Sequence, residues 1–329
     1  MVATTVLRVN QLAVAVPSQG GLAQVVRDVS FTIEKGQSLG LIGESGCGKS
    51  MTALAVMGLL PERARVSGSI LLNGSELLHK TDDDLCQLRG AKMAMIFQEP
   101  MTALNPVHTI GQQISESLEL HKGLSKGDAR LKVLELLERV QLPRARERLY
   151  AYPHELSGGQ RQRVMIAIAL ACDPDLLIAD EPTTALDVTV QREVLLLIKQ
   201  LVREQDMGLL LISHDLGLMR EQVDHVMVMY AGSVVERAPT QAIFTHRAHP
   251  YTQGLFSARP SLDMPRSARL PTIPGSVLNP LDPIVGCAFH ARCPKAIPLC
   301  SQHVPILETA KFDATGVNHL VACPRWSSL

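Results

Sequence analysis

The sequence predicts an α/β fold with a mainly parallel sheet, a helical insertion and a small Pro- and Cys-rich C-terminal region. Three observations carry this expectation. Short apolar runs alternate with stretches of helical character. A Gly-rich loop at residues 43–50 joins an apolar run to a helical stretch. From Pro239 onward prolines recur at 250, 260, 265, 271, 274, 280, 283, 294, 298, 305 and 324, among cysteines at 287, 293, 300 and 323.

In chain order, residues 6–45 are β-rich. Residues 25–33 alternate in part, and residues 38–43 read as a buried strand running straight into the Gly-rich loop. Helical character follows over residues 49–60 and stops at Pro61. Residues 108–142 read as helix, with Leu131, Leu134, Leu137 and Val140 at three-residue steps on one face. A further helix follows Ser157-Gly158-Gly159 and runs through Ala171. Strand patterns return at residues 176–179 and 209–212, and residues 226–235 read as a hairpin. The Pro-rich remainder cannot hold long helices and reads as a loop-rich appendix that needs a staple. No internal repeat occurs, so the chain is one unit and not a fused pair. The expected division is residues 1–238, with the insertion at about 106–158, and residues 239–329.

Hydrophobic residues make up 46% of the 329, enough for a real core, and aromatics only 3%, so that core must be aliphatic. The formal net charge is +0, which leaves no electrostatic footprint for nucleic acid. Apolar runs such as residues 164–172 fall far short of the ~20 residues that span a bilayer. No basic segment leads into an apolar one at the N-terminus, so a cytosolic location is expected, with any membrane association made through a partner.

The chemistry concentrates in a few strings. Residues 43–50, GESGCGKS, fit G-x-x-x-x-G-K-S. Gly43, Glu44, Ser45, Gly46, Cys47 and Gly48 would wrap backbone N–H groups around phosphates, with Met51 at the helix start behind them. Lys49 would reach the β- and γ-phosphates and the Ser50 hydroxyl would ligate Mg²⁺. Asp180 ends an apolar strand, where it can hold Mg²⁺ through water. Glu181 follows directly and is placed to polarise the attacking water. His214, beyond the strand at 209–212, could contact the γ-phosphate and link it to that base. Cys47, beside Lys49 and a helix N-terminus, is expected to have a lowered pKa.

Between these strings lies Leu156-Ser157-Gly158-Gly159-Gln160, which resembles the signature of ATP-binding cassette (ABC) proteins. Phosphate loop, signature, Asp180-Glu181 and His214 stand in that family's order over residues 43–214. The resemblance implies a RecA-like core with an N-terminal antiparallel β region. It implies that Gln98 reaches Mg²⁺ and the attacking water, and that Asp187, in Ala185-Leu186-Asp187, crosses a dimer interface. It also implies that Ser157, Gly158, Gly159 and Gln160 serve the ATP of a second ATPase subunit, identical or related. The family's ring that stacks on adenine is missing, because no aromatic residue precedes Phe31, and Val16 stands about where it would be.

Residues 97–106 (FQEPMTALNP), His249-Pro250-Tyr251-Thr252, Pro274-Gly275 and residues 286–293 (GCAFHARC) are similar to dipeptide/oligopeptide importer ATPases. That implies two integral-membrane permeases, an extracytoplasmic solute-binding protein and a peripheral position on the cytoplasmic face of the inner membrane. Di- or oligopeptides are the expected solute. A nickel or other small-solute importer, or a non-transport ABC ATPase, is the alternative.

Cys287, Cys293, Cys300 and Cys323 are spaced C-x₅-C-x₆-C-x₂₂-C. Disulfides are disfavoured in a cytosolic chain, and no close pair of the zinc-ribbon type occurs. Four separated thiolates can enclose a [4Fe–4S] cluster, and the resemblance points the same way. Zinc and free thiols remain the alternatives.

Overall fold

The computed structural model describes residues 4–99, 103–184, 186–258, 271–310 and 318–328. The expectations at residues 100–102, Ala185, Pro260 and Pro265 lie outside them.

Three strands open the chain: β1 (Thr5–Ser18), β2 (Gly21–Glu34) and β3 (Ser38–Ile42). The Gly-rich loop leads into α1 (Lys49–Met57), and β4 (Arg65–Leu72), β5 (Ser75–Glu76), α2 (Asp82–Leu88) and β6 (Met93–Ile96) follow. The insertion holds α3 (Ile110–Lys122), α4 (Lys126–Arg139) and α5 (Ala145–Arg148), and α6 (Gly158–Leu170) leads back to the sheet. Next come β7 (Leu176–Asp180), α7 (Val188–Glu204), β8 (Gly208–Ile212), α8 (Leu216–Gln222), β9 (His225–Tyr230) and β10 (Ser233–Pro239). The C-terminal part holds α9 (Thr240–Thr245), α10 (Pro250–Ser257), β11 (Glu308–Thr309) and β12 (Leu320–Val321).

Strands β9-β3-β8-β7-β6 are parallel neighbours in that order, and β10 pairs antiparallel with β9 on the outer side. A separate antiparallel sheet has the order β2-β1-β4-β5. The parallel strands are buried on both faces, and period-2 alternation sorts their side chains into two cores. Leu177 and Ala179 join the helical insertion and α7 on one face. Leu176 and Ile178 join α1 and the antiparallel sheet on the other.

The first helix stops at Met57, short of the expected Leu60, because Gly58 takes a left-handed conformation (φ 65°) and caps it. Gly123 (φ 64°) likewise splits the expected 108–142 helix into α3 and α4. The buried face of α4 is Ala129, Val133, Leu136 and Leu137, whereas Leu131 is 66% exposed. Three-residue steps drift around a 3.6-residue helix, so the expected stripe held only at its C-terminal end.

Beyond Pro239 the longest described helix has eight residues, but this part is not a detached appendix. β12 pairs with β10, bringing β11 with it, and so extends the main sheet. Glu236, fully buried in β10, accepts the backbone N–H groups of Ala248 (2.8 Å) and His249 (2.9 Å) and meets the His319 ring at 2.6 Å.

Burial holds the His249 imidazole down at about 4, with the Glu236 carboxylate pulling less strongly the other way. Its Nδ1 accepts the Tyr251 N–H at 3.0 Å, a bond that protonation removes. An exposed imidazole titrates near 6.5, so the unfolded chain takes up this proton first as pH falls. Above about pH 6.5 the residue has no pH-dependent effect. From there down to about pH 4 it should cost stability progressively, on the order of 3 kcal/mol in all. Urea unfolding midpoints across this window should fall, and His249→Asn should make that fall shallower.

Candidate active site

The parallel strands deliver the site at their C-terminal ends. β3 runs into the phosphate loop, where Gly43 and Gly48 have φ of 155° and 103°. A Cβ on Gly43 would stand 2.3 Å from the Met229 carbonyl oxygen, and one on Gly48 2.4 Å from the Val25 carbonyl oxygen. Conformation and clearance therefore both demand glycine. Lys49, 6% exposed, turns its ammonium back into the loop, donating to the carbonyls of Gly43 (2.8 Å) and Glu44 (3.0 Å).

Next to it, Asp180 is 5% exposed at the end of β7. Burial pushes its carboxyl up, the Ser50 hydroxyl pulls it down by hydrogen bonding, Glu181 raises it again and Lys49 lowers it. Asp180 Oδ1 is buried and has no hydrogen-bond partner among the described residues. An orphaned carboxylate oxygen beside a hydroxyl is a donor set suited to a small hard cation, and Ser50 and Asp180 fit Mg²⁺.

Glu181 is aimed by its backbone. Its φ is 46°, and its N–H donates to the Ile212 carbonyl of the neighbouring strand at 2.9 Å. One carboxylate oxygen, Oε2, accepts from Gln98 Nε2 at 3.2 Å and from Thr184 Oγ1 at 3.0 Å, and meets His214 Nδ1 at 3.3 Å. Three elements thus converge on one oxygen. A carboxylate so held can take a proton from water without losing its position.

Ser157 caps α6: its hydroxyl accepts the Gln160 N–H while the Gln160 side chain accepts the Ser157 N–H. Ser157 and Gly158 are exposed, so this helix N-terminus faces outward. Asp187 caps α7 through the Val190 N–H at 3.1 Å. Val16 is half-buried in β1, opposite Ala23 of β2.

Cys47 corrects an expectation. It is buried, and desolvation pushes its thiol up, outweighing the opposing pull of Lys49. Enclosure under the phosphate loop outweighs the lysine, and the sulfur accepts from Lys49 Nζ at 3.7 Å.

The chain matches the family model for the ABC transporter over residues 26–184 and that for the oligopeptide/dipeptide transporter C-terminal region over residues 235–300. It is 47% identical to the oligopeptide transport ATP-binding protein OppD of Salmonella typhimurium, over 92% of this chain and 90% of that one. The chain belongs to the oligopeptide/dipeptide group of the ABC transporter family. The dipeptide transport ATP-binding protein DppD of Bacillus subtilis is also 47% identical, over 95% of this chain and 93% of that one. Among solved structures, the dimeric post-hydrolysis state of the ATP-binding cassette MJ0796 bound to ADP and Pi is similar with a TM-score of 0.64. It is 25% identical and covers 71% of this chain and 98% of that one. The fold is that of an ABC cassette, and the chain is an ABC ATPase. No helix among the described residues is long and apolar enough to cross a membrane.

In this ABC subunit all four C-terminal cysteines line one small cavity with His290 and Pro324. Burial pushes the Cys287 thiol up to about 11, helped by Cys300, Cys323 and Cys293. Cys293 and Cys323 are raised for the same reasons. Among the described residues no group of three or more His, Cys, Asp or Glu is arranged to hold a metal ion.

Sequence reasoning missed Thr184, which sits in a turn with no motif of its own. It also missed Tyr251 and Arg292, which reach the phosphate loop from more than 200 residues away. Tyr251 Oη accepts the Glu44 N–H at 2.8 Å.

If Val16 lies against adenine, Val16→Tyr should tighten ATP binding by about 1 kcal/mol by supplying a stacking face. Fluorescent-nucleotide titration of both proteins reads this directly, and equal affinities would place the base elsewhere.

Proposed function

We propose that this chain is the ATP-hydrolysing subunit of a peptide importer. The observation that carries this reading is its near full-length identity of 47% to the oligopeptide and dipeptide transport proteins above. Lys49 and residues 43–48 would hold the triphosphate. Ser50 and Asp180, with Gln98 beside them, would ligate Mg²⁺, which would neutralise phosphate charge. Glu181 would take the proton of the attacking water, held by Gln98, Thr184 and His214. Ser157, Gly158, Gly159 and Gln160 would close on the ATP of a second ATPase subunit, identical or related, with Asp187 at the interface. The exposed α6 N-terminus and the dimeric form of the similar cassette support this.

Of the two permease subunits, the one that this chain meets would dock near Gln98 and the helical insertion. A cavity of about 800 Å³ there is lined by Gln112, Glu116, Leu120, Arg130 and Tyr150 among others. Leu120 and Tyr150 are exposed apolar residues of the kind a partner covers. The subunit would then sit peripherally at the cytoplasmic face of the inner membrane, with a solute-binding protein delivering peptide on the far side. The proposed division at residues 238/239 rests on the change to Pro- and Cys-rich composition from Pro239 onward. Removing the gene should abolish uptake of labelled di- or oligopeptides and leave nickel uptake intact. The reverse outcome would reassign the solute.

We further propose that Cys287, Cys293, Cys300 and Cys323 hold a [4Fe–4S] cluster. Their convergence on one cavity supports four ligands. No close Cys pair of the zinc-ribbon type occurs in the sequence, which favours the cluster over zinc. Such a cluster would fasten a segment that has little core of its own. Anaerobically purified protein should be brown, absorb broadly near ~400 nm and contain iron and acid-labile sulfide. Colourless protein with stoichiometric zinc would keep the ligands and overturn the cluster.

A further inference from the structure

The phosphate loop contains an acid that its chemistry does not call for. Glu44 sits second in GESGCGKS, in a loop that must bind a polyanion. An unpaired carboxylate there repels the triphosphate.

Arg292 removes that conflict. Its Nη1 and Nη2 donate to Glu44 Oε2 (2.7 Å) and Oε1 (2.9 Å) as a two-pronged fork. The arginine side chain is 5% exposed and the glutamate 27%. The guanidinium is fixed independently of Glu44. Nε donates to the Pro274 carbonyl at 2.9 Å, Nη2 to the Ile273 carbonyl at 3.3 Å and Nη1 to Tyr230 Oη at 3.4 Å. It also lies 5.7 Å from the Tyr230 ring centroid and 5.9 Å from that of Phe289. Tyr230, Tyr251 and Phe289 pack on one another beneath it, and Tyr251 fixes the Glu44 N–H. Side chain and backbone of one phosphate-loop residue are therefore both held by the segment that carries the cysteines.

We propose that Arg292 is a positioning residue for ATP: it neutralises Glu44 and holds it out of the phosphate cradle. This rests on reading residues 43–50 as the ATP site. The C-terminal segment is then part of the nucleotide site's electrostatics.

The test is ATP binding and steady-state ATPase of the full chain as Arg292→Gln, Glu44→Gln and the double variant, with Lys49→Ala alongside. Arg292→Gln should raise KM and Kd for ATP roughly ten-fold by leaving a bare carboxylate at the phosphates, with kcat falling much less. Adding Glu44→Gln to it should restore most of that affinity, because the repelling charge is gone. A purely structural arginine would give no such rescue, since its bonds to Pro274 and Ile273 remain lost. Wild-type affinity in Arg292→Gln, or a double variant as weak as the single, overturns the proposal. If Arg292→Gln does not fold, the comparison is read on the equally uncharged Arg292→Met with and without Glu44→Gln, where rescue again supports it and no rescue overturns it. Retained ATP binding in Lys49→Ala would instead overturn the ATP-site reading itself.

Discussion

Glu181→Gln is expected to bind MgATP with wild-type affinity and to lose turnover by a factor of about 10²–10⁴, the range that a positioned general base supplies. The amide matches the carboxylate in shape, so the hydrogen bonds from Gln98 and Thr184 to Oε2 can persist. The left-handed backbone at residue 181 and its bond to Ile212 are untouched. Lys49, Ser50 and Asp180, which would hold MgATP, are unchanged. What disappears is the basic oxygen that takes the proton from water. Phosphate release and nucleotide retention measured on the same preparation separate binding from chemistry. Turnover near the wild-type rate would remove Glu181 as the base.

Ser157→Arg should produce a similar loss for a different reason. The exposed N-terminus of α6 carries the positive end of a helix dipole, the feature that binds phosphate. If it serves the ATP of a partner subunit, a bulky side chain at Ser157 holds the two subunits apart. ATP binding at the chain's own phosphate loop should survive, while turnover of the assembled transporter falls roughly 10²-fold or more. The substitution also removes a helix cap, costing about 1 kcal/mol. Ser157→Gly, which loses the same hydroxyl but adds no bulk, controls for that. Equal loss in both variants would point to the cap and not to the interface.

The core of the fold was legible because its signals are local. Leu176 to Ala179 and Leu209 to Ile212 are uninterrupted apolar runs, which strands buried on both faces require. The phosphate loop was legible because glycines at 43 and 48 answer a backbone demand that no other residue meets. Helix ends were less so: Gly58 and Gly123 terminate helices through left-handed caps that the apolar pattern overrides on paper. The strand at residues 65–72 escaped notice because one of its faces is open and polar, so that only Ile70 and Leu72 are buried. Cys47 was misjudged because proximity to Lys49 is visible in sequence and burial is not. Arg292 could not be read at all. Its partner stands 248 residues earlier, and nothing near residue 292 announces a carboxylate.

In the proposed mechanism two cassettes enclose ATP between the phosphate loop of one and the signature of the other. Native mass measurement of Glu181→Gln with MgATP, alone and with any ATPase subunit that co-purifies with the chain, tests it most directly. The expected result is a particle of two cassettes with ATP retained, which falls apart into single cassettes when Ser157→Arg is added. ATP-loaded single cassettes under both conditions, unchanged by Ser157→Arg, would contradict it.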